Sequence, residues 1–201
     1  PTRRSSDLMI ANTFFRLGIT RLKHDFSWTE LFNGLVKYCI VGHSERRYIF
    51  GEDDKMIAKK AAASLRNKIT PILCIGETES ERAFGETKDV IHDQLIGGLS
   101  EVGAEEVPKV IVAYEPVWAI SSTKAAKLAT PDEIAEVVKL IRKVLGETYG
   151  EKAAEKVPVL FGGSVNPSNA GAYLTVPGVN GLLVSGASLI LQECTDIIEV
   201  A

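Results

Sequence analysis

Short apolar runs recur along the chain from residue 36 onward, and each is followed by glycine or polar residues and then by an amphipathic stretch. Runs that are apolar at nearly every position are typical of parallel strands buried on both faces, and their alternation with helical stretches indicates βα units. Five such runs occur, at residues 36–41, 70–75, 109–114, 157–161 and 180–184. The pattern therefore predicts an α/β fold with five parallel strands.

The stretches between the runs carry helix signals. Between residues 53 and 67, apolar residues recur at every fourth position, as on a helix packed against a sheet. Residues 130–133 (TPDE) combine an N-cap threonine, a proline at the first helical position and a capping-box glutamate. Residues 78–81 (TESE) form a second capping box, and Gly150 is predicted to end the helix that starts near residue 131.

Composition narrows the class of protein. A chain of 201 residues is long enough for one domain with a substantial core. A net charge of −3 argues against nucleic acid as the main partner, and no apolar stretch has the length that a membrane span needs. Three widely spaced cysteines fit reduced thiols better than a disulfide framework, which favours a cytoplasmic protein.

Residues 1–35 do not join the strand–helix pattern. They hold scattered apolar residues and no clear strand–turn–helix unit. We expect them to form an atypical, poorly ordered leader, followed by a βα portion at residues 36–201.

Glu115 ends the third apolar run, directly before a proline. In parallel α/β barrels, catalytic groups lie at the C-terminal tips of the strands. A single carboxylate there is a candidate general base. On this evidence alone, a surface acid in a βα loop is an equally good interpretation.

His43 follows the first run at a predicted helix start. The positive end of a helix disfavours imidazolium, so a neutral ring can donate a hydrogen bond there. The alternative is a structural histidine in a charged turn.

Small residues follow the last two runs, at residues 162–164 (GGS) and 185–188 (SGAS). One such loop alone is typical of a tight βα turn. Two in succession favour a phosphate site built from backbone amides.

Five segments together resemble the triosephosphate isomerase family, in order and over about residues 36–199. These segments are 41–47 (VGHSERR), 74–78 (CIGET), 113–120 (AYEPVWAI), 162–165 (GGSV) and 183–189 (LVSGASL). The first and third are highly specific motifs. The resemblance implies a partial TIM (β/α)8 barrel that lacks its first three units.

The resemblance also assigns roles. Glu115 would take a proton from the carbon next to the substrate carbonyl, His43 would polarise that carbonyl, and Glu45 would orient the site. The reaction would interconvert dihydroxyacetone phosphate and D-glyceraldehyde 3-phosphate through an enediol(ate), in glycolysis and gluconeogenesis, without cofactor or metal. The implied partners are a small phosphorylated triose and, as in the family, a second copy of the chain.

The same resemblance places the substrate phosphate on backbone amides. Ser164, Ser185 and Gly186 would supply amides, with Gly163 in the same loop. Ser122 would contribute from a lid that is longer than the family's and contains no glycine. Ser185 replaces a glycine of the family pattern, and this is free of strain only if its φ is negative.

One departure from the family is serious. The family's first strand ends in an Asn-Trp-Lys motif whose lysine lies beside the substrate, and no such motif is present here. We therefore expect this chain by itself to be inactive or nearly so. The alternatives are a non-catalytic phosphate-binding fragment, or another barrel enzyme acting on a phosphorylated substrate.

Overall fold

A computed structural model describes residues 36–120 and 127–201. Within these ranges five strands form one parallel sheet in the order β1-β2-β3-β4-β5, each strand pairing with the next along the chain. The strands are β1 (Tyr38–Val41), β2 (Thr70–Ile75), β3 (Ile111–Tyr114), β4 (Val159–Phe161) and β5 (Gly181–Leu182).

Helices connect the strands. The described helices are α1 (Ser44–Tyr48), α2 (Asp54–Arg66), α3 (Glu79–Ala83), α4 (Thr87–Leu99), α5 (Pro131–Tyr149), α6 (Glu151–Lys156), α7 (Ala170–Leu174) and α8 (Leu191–Glu199). Short 3₁₀ turns occur at Val107–Lys109, Val117–Ala119 and Gly186–Leu189.

Local sequence signals explain where several helices begin and end. Both predicted capping boxes form, with Thr78 and Thr130 each accepting from the backbone of the glutamate three residues later. These boxes satisfy amide groups that have no partner inside the helix. Gly150 ends α5 with a φ of +89°, a conformation that glycine adopts without a steric penalty.

The two faces of the sheet carry different apolar clusters. On the helix side, Leu73, Val112 and Val159 belong to a large core that includes α2, α4 and α5. On the other face, a smaller cluster is formed by Ile72, Cys74, Ala113, Leu160 and Leu183. Alternate residues of each strand therefore point to opposite sides.

The predicted α/β class and the five parallel strands are confirmed, and every strand except β2 is shorter than its apolar run. Lys109, the predicted first residue of the third run, ends the 3₁₀ turn Val107–Lys109 instead, because Val110 donates back to Val107. Among the described strands, β1 and β5 each pair with one neighbour, so the sheet is not closed. The leader predicted at residues 1–35 lies outside the described ranges.

The three cysteines are buried thiols. Burial raises the pKa of Cys39 to about 12 and the pKa of Cys74 well above its usual value, so both stay protonated at neutral pH. Cys39 and Cys74 pack in the apolar clusters on the two faces of the sheet. In the described part of the chain, no helix is long and apolar enough to cross a membrane.

Candidate active site

The candidate site lies where the parallel strands end. Glu115 follows β3, and its amide donates to Ile75 at the end of β2 (2.7 Å). Gly162 follows β4 and donates to Tyr114 at the end of β3 (2.8 Å). These bonds continue the sheet register past the strands and bring the loops after β2, β3 and β4 together, as expected for catalytic groups of a parallel barrel.

The two predicted catalytic side chains contact each other. Glu115 is 4% exposed, and its Oε1 lies 2.6 Å from Nε2 of His43. The second carboxylate oxygen, Oε2, accepts a hydrogen bond from the backbone amide of Ser44 (3.1 Å). Both oxygens are thus held by groups that precede or begin α1, so Glu115 is not a surface acid in a loop.

The tautomer of His43 follows from its hydrogen bonds. His43 is the N-cap of α1, and its Nδ1 accepts from the amide of Glu45 (3.3 Å). An accepting Nδ1 carries no proton, so in a neutral ring the proton is on Nε2, which donates to Glu115. A neutral ring therefore presents an N–H donor toward Glu115.

Glu45 contributes differently from what the resemblance implies. Its side chain is exposed, and the contact that orients His43 comes from its backbone amide. Any residue with an N–H could supply this hydrogen bond. An orienting role for the carboxylate itself stays a prediction.

A second buried carboxylate, Glu77, lies behind the base, and sequence reasoning gave it no role. Its side chain is fully buried and accepts from the indole of Trp118 (2.9 Å), the hydroxyl of Tyr114 (3.2 Å) and the guanidinium of Arg82 (3.2 Å). Tyr114 directly precedes Glu115, and Trp118 follows it by three residues. Glu77 therefore anchors the chain on both sides of the base.

Strand periodicity explains why the two carboxylates face different partners. In β3, Ala113 points away from the helices and Tyr114 points toward them. Continuing the alternation places Glu115 on the face of Ala113. Glu77 is two residues beyond Ile75, which points toward the helices, so it reaches Tyr114. The signal available in the sequence was the same as for Glu115, namely an acid just past a buried strand.

Electrostatics around Glu77 keep its neighbours in defined protonation states. Burial, followed by the nearby Glu77 carboxylate, raises the pKa of the Tyr114 hydroxyl well above its usual value. Tyr114 therefore stays a hydrogen-bond donor.

Arg82 also reaches Glu133 (2.6 Å) in the capping box of α5. Although burial opposes it, hydrogen bonds from Thr130 and the charge of Arg82 lower the pKa of Glu133.

Gly76 permits the backbone of the base to approach β2. A Cβ at this position would lie 2.0 Å from the carbonyl oxygen of Glu115, far inside van der Waals contact. The side-chain amide of Gln94 holds Gly76 on both sides, accepting from its N–H (2.8 Å) and donating to its carbonyl (3.3 Å). Only glycine fits at position 76 without moving Glu115.

The first predicted phosphate loop follows β4. Ser164 directs its amide and its hydroxyl to the carbonyl of Ala119 (2.8 and 2.7 Å). This amide is therefore engaged inside the protein, and it can bind an anion only after that bond breaks. Gly163 packs against Phe161, whose ring would lie 2.5 Å from an added Cβ.

The second predicted phosphate loop follows β5. Ser185 has a φ of −104°, so the serine that replaces a glycine causes no left-handed strain. Gly186 begins the 3₁₀ turn Gly186–Leu189, where amide groups point out of the helix start. The phosphate roles of these residues stay predictions, and Ser122 lies outside the described ranges.

The fold and the site together define a class of protein. Parallel βα units place a carboxylate and an imidazole N–H within hydrogen-bond distance at the C-terminal ends of the strands, an arrangement suited to acid–base chemistry. A model of the triosephosphate isomerase family matches residues 26–201, and the match starts upstream of the first described strand. The chain belongs to the triosephosphate isomerase family.

Curated relatives agree with this membership. Proteins named triosephosphate isomerase from Caldanaerobacter subterraneus subsp. tengcongensis and from Carboxydothermus hydrogenoformans are 42% and 44% identical to the chain, over 81% and 82% of its length. A third, from Chlamydia muridarum, is 41% identical over 97% of the chain and 73% of the relative. The chain spans 64% of the length of the first two relatives, less than two thirds.

Proposed function

We propose that the chain carries the proton-transfer site of a triosephosphate isomerase, which interconverts dihydroxyacetone phosphate and D-glyceraldehyde 3-phosphate. The observation that carries the proposal is the 2.6 Å contact between Glu115 and the Nε2 of His43. A base and an N–H donor that are neighbours can act on two adjacent carbons of one small substrate once the substrate replaces their mutual contact.

The contact also indicates how substrate would enter. The N–H of His43 and the carboxylate of Glu115 satisfy each other in the structure described here. A substrate carbonyl has to replace Glu115 as the acceptor of the His43 N–H. The carboxylate would then face the carbon next to that carbonyl and take its proton, while His43 stabilises the charge on the enediolate oxygen. Return of the proton to the neighbouring carbon, together with transfer of the hydroxyl proton from the first oxygen to the enediolate oxygen, completes the isomerisation.

Binding of the substrate phosphate requires a second rearrangement. The amide of Ser164 is bound to the carbonyl of Ala119, and Ala119 belongs to the segment that follows Glu115. Transfer of this amide to a phosphate would remove one of the hydrogen bonds that hold the segment carrying the base. Substrate binding and repositioning of Glu115 are therefore coupled in this proposal.

Residues 1–201 carry no Asn-Trp-Lys motif of the family type, and this affects the rate expected for these residues by themselves. A cation beside the substrate stabilises the developing negative charge, and loss of one such electrostatic contact can cost on the order of 10²–10³ in rate. We expect the chain on its own to turn over substrate more slowly than a relative by at least this factor.

Solvent exchange tests the proposal directly. The chain is incubated with dihydroxyacetone phosphate in D₂O, and ¹H NMR follows loss of the C1 proton together with formation of glyceraldehyde 3-phosphate. We expect exchange that depends on protein concentration and that is absent in Glu115→Gln. Glu147→Gln, an exposed glutamate of α5, is the matched control and should exchange like the parent chain.

The same experiment distinguishes the alternative function. Phosphate-ligand binding by both the parent chain and Glu115→Gln, with exchange in neither, would contradict isomerisation. It would identify the chain as a non-catalytic phosphate-binding fragment.

The proposed assembly is a homodimer in the cytoplasm. Tyr48, Ile49 and Phe50 form an exposed apolar patch at the end of α1, the helix that His43 caps. Such a patch on a monomer is costly in water and is suited to contact with a second copy. Sedimentation should give a mass of two chains, and Ile49→Ser should shift it toward one.

A compartment that keeps thiols reduced agrees with the three buried cysteines.

A further inference from the structure

Arg82 lies near the end of α3 and makes three separate contacts. Its Nη1 lies 3.2 Å from Oε1 of Glu77, and its Nη2 lies 2.6 Å from Oε1 of Glu133. Its guanidinium stacks on the ring of Trp118 at 4.4 Å from the centroid. A planar guanidinium can make these contacts at once, because its N–H donors lie in the plane of the group and its face can stack on the indole ring.

Two of these contacts hold the segment that carries the base. Glu77 and Trp118 are joined by a 2.9 Å hydrogen bond, and the amide of Val117 donates to the carbonyl of Glu77 (2.9 Å). Val117 and Trp118 are the second and third residues after Glu115. The backbone after Glu115 has little freedom while this group stays assembled.

The third contact connects the segment to α5. Glu133 closes the capping box of α5 by accepting from the amide and the hydroxyl of Thr130. In sequence, Trp118 precedes residues 121–126 and Glu133 follows them. Arg82 therefore ties the chain on one side of that stretch to the helix start on the other side.

We propose that Arg82 is a positioning residue for Glu115, which it holds in place through Glu77 and Trp118 while Glu133 fixes the guanidinium against α5. Arg82 does not touch the reacting atoms. The inference rests on the proposed function, since it concerns the base of that reaction, but the position of Glu115 can be measured without turnover.

Lysine should not replace arginine here. A lysine ammonium can approach one carboxylate or the indole ring, but it lacks the planar fork that reaches Glu77 and Glu133 together. Arg82→Lys keeps the charge and should retain the fold with a partly displaced base. Arg82→Met removes the charge and keeps most of the length of the side chain.

The test uses ¹H–¹⁵N NMR of the full chain. The amide of Ser44 reports on the carboxylate of Glu115, which accepts its hydrogen bond at 3.1 Å, and Glu115→Gln identifies that resonance. The indole resonance of Trp118 reports on the Arg82 contact itself. We expect Arg82→Met to move both resonances, Arg82→Lys to move both by less, and the control Lys143→Met, which removes an exposed cation of α5, to move neither.

Two results would overturn the inference. One is a Ser44 resonance that stays in place while the Trp118 indole moves in Arg82→Met or Arg82→Lys. The other, in a chain that turns over substrate, is an unchanged kcat in these variants, since a displaced base should lower kcat about tenfold or more with KM changed less than about twofold. A chain without turnover contradicts the proposed function, whereas the Ser44 resonance still decides the role of Arg82.

Discussion

Shortening Glu115 by one methylene tests whether this carboxylate is the base. Glu115→Asp withdraws both oxygens by about 1.5 Å, one carbon–carbon bond. The contacts to His43 (2.6 Å) and to the Ser44 amide (3.1 Å) would then open beyond hydrogen-bond distance. A misplacement of about 1 Å can cost roughly 10²-fold in rate, or about 2.7 kcal/mol of transition-state free energy. We expect kcat to fall by at least this factor.

The Michaelis constant should change less than kcat, because backbone amides of Ser164, Ser185 and Gly186, and not the Glu115 side chain, make the proposed phosphate contacts. The assay is steady-state isomerisation coupled to oxidation of NADH, at high concentrations of protein. Glu147→Asp, with the same change at an exposed position of α5, is the control. A Glu115→Asp chain that keeps its kcat, or that loses activity only through a higher KM, would refute proton transfer by this residue.

Three further changes test other parts of the site. His43→Gln removes the N–H donor and should lower kcat by about 10²–10³ with little change in KM, and an unaffected kcat would contradict its role. Gly76→Ala drives a Cβ to 2.0 Å from the carbonyl of Glu115 and should destabilise the chain by at least about 2 kcal/mol in urea unfolding, whereas Gly171→Ala, in open space on α7, should not destabilise it. The lowered pKa of Glu133 adds stability above its unfolded pKa of about 4.3, and this stability is lost as pH falls through the folded value. Urea unfolding at several pH values should therefore show a stability difference from Glu133→Gln that shrinks in acid, and a constant difference would contradict the lowered pKa of Glu133.

Local patterns in the sequence predicted much of the framework. Uninterrupted apolar runs fixed the five strands because parallel strands are buried on both faces. The capping boxes at Thr78 and Thr130 were readable because their hydrogen bonds span only three residues. Strand-end positions also placed Glu115 and His43 at one edge of the sheet, and the structure brings them into contact.

Contacts between distant residues could not be predicted in this way. Arg82 forms hydrogen bonds with Glu77 and, across 51 residues of sequence, with Glu133. Nothing in the local sequence around any one of these residues indicates the other two. The amide and the hydroxyl of Ser164 both donate to the carbonyl of Ala119, which is 45 residues earlier in the sequence. These hydrogen bonds depend on how the loops after β3 and β4 meet. The orienting amide of Glu45 could not be predicted for another reason, since every residue except proline has a backbone N–H and no sequence signal marks the one that His43 accepts from.

Isomerase activity of the purified chain, measured beside Glu115→Gln with a thermal melt of both samples, tests the central claim most directly. The account predicts slow conversion of dihydroxyacetone phosphate to glyceraldehyde 3-phosphate by the parent chain, none by the variant, and a cooperative melt for each. Two folded proteins with the same rate, whether zero or not, would contradict the assignment of Glu115 as the base of a working site.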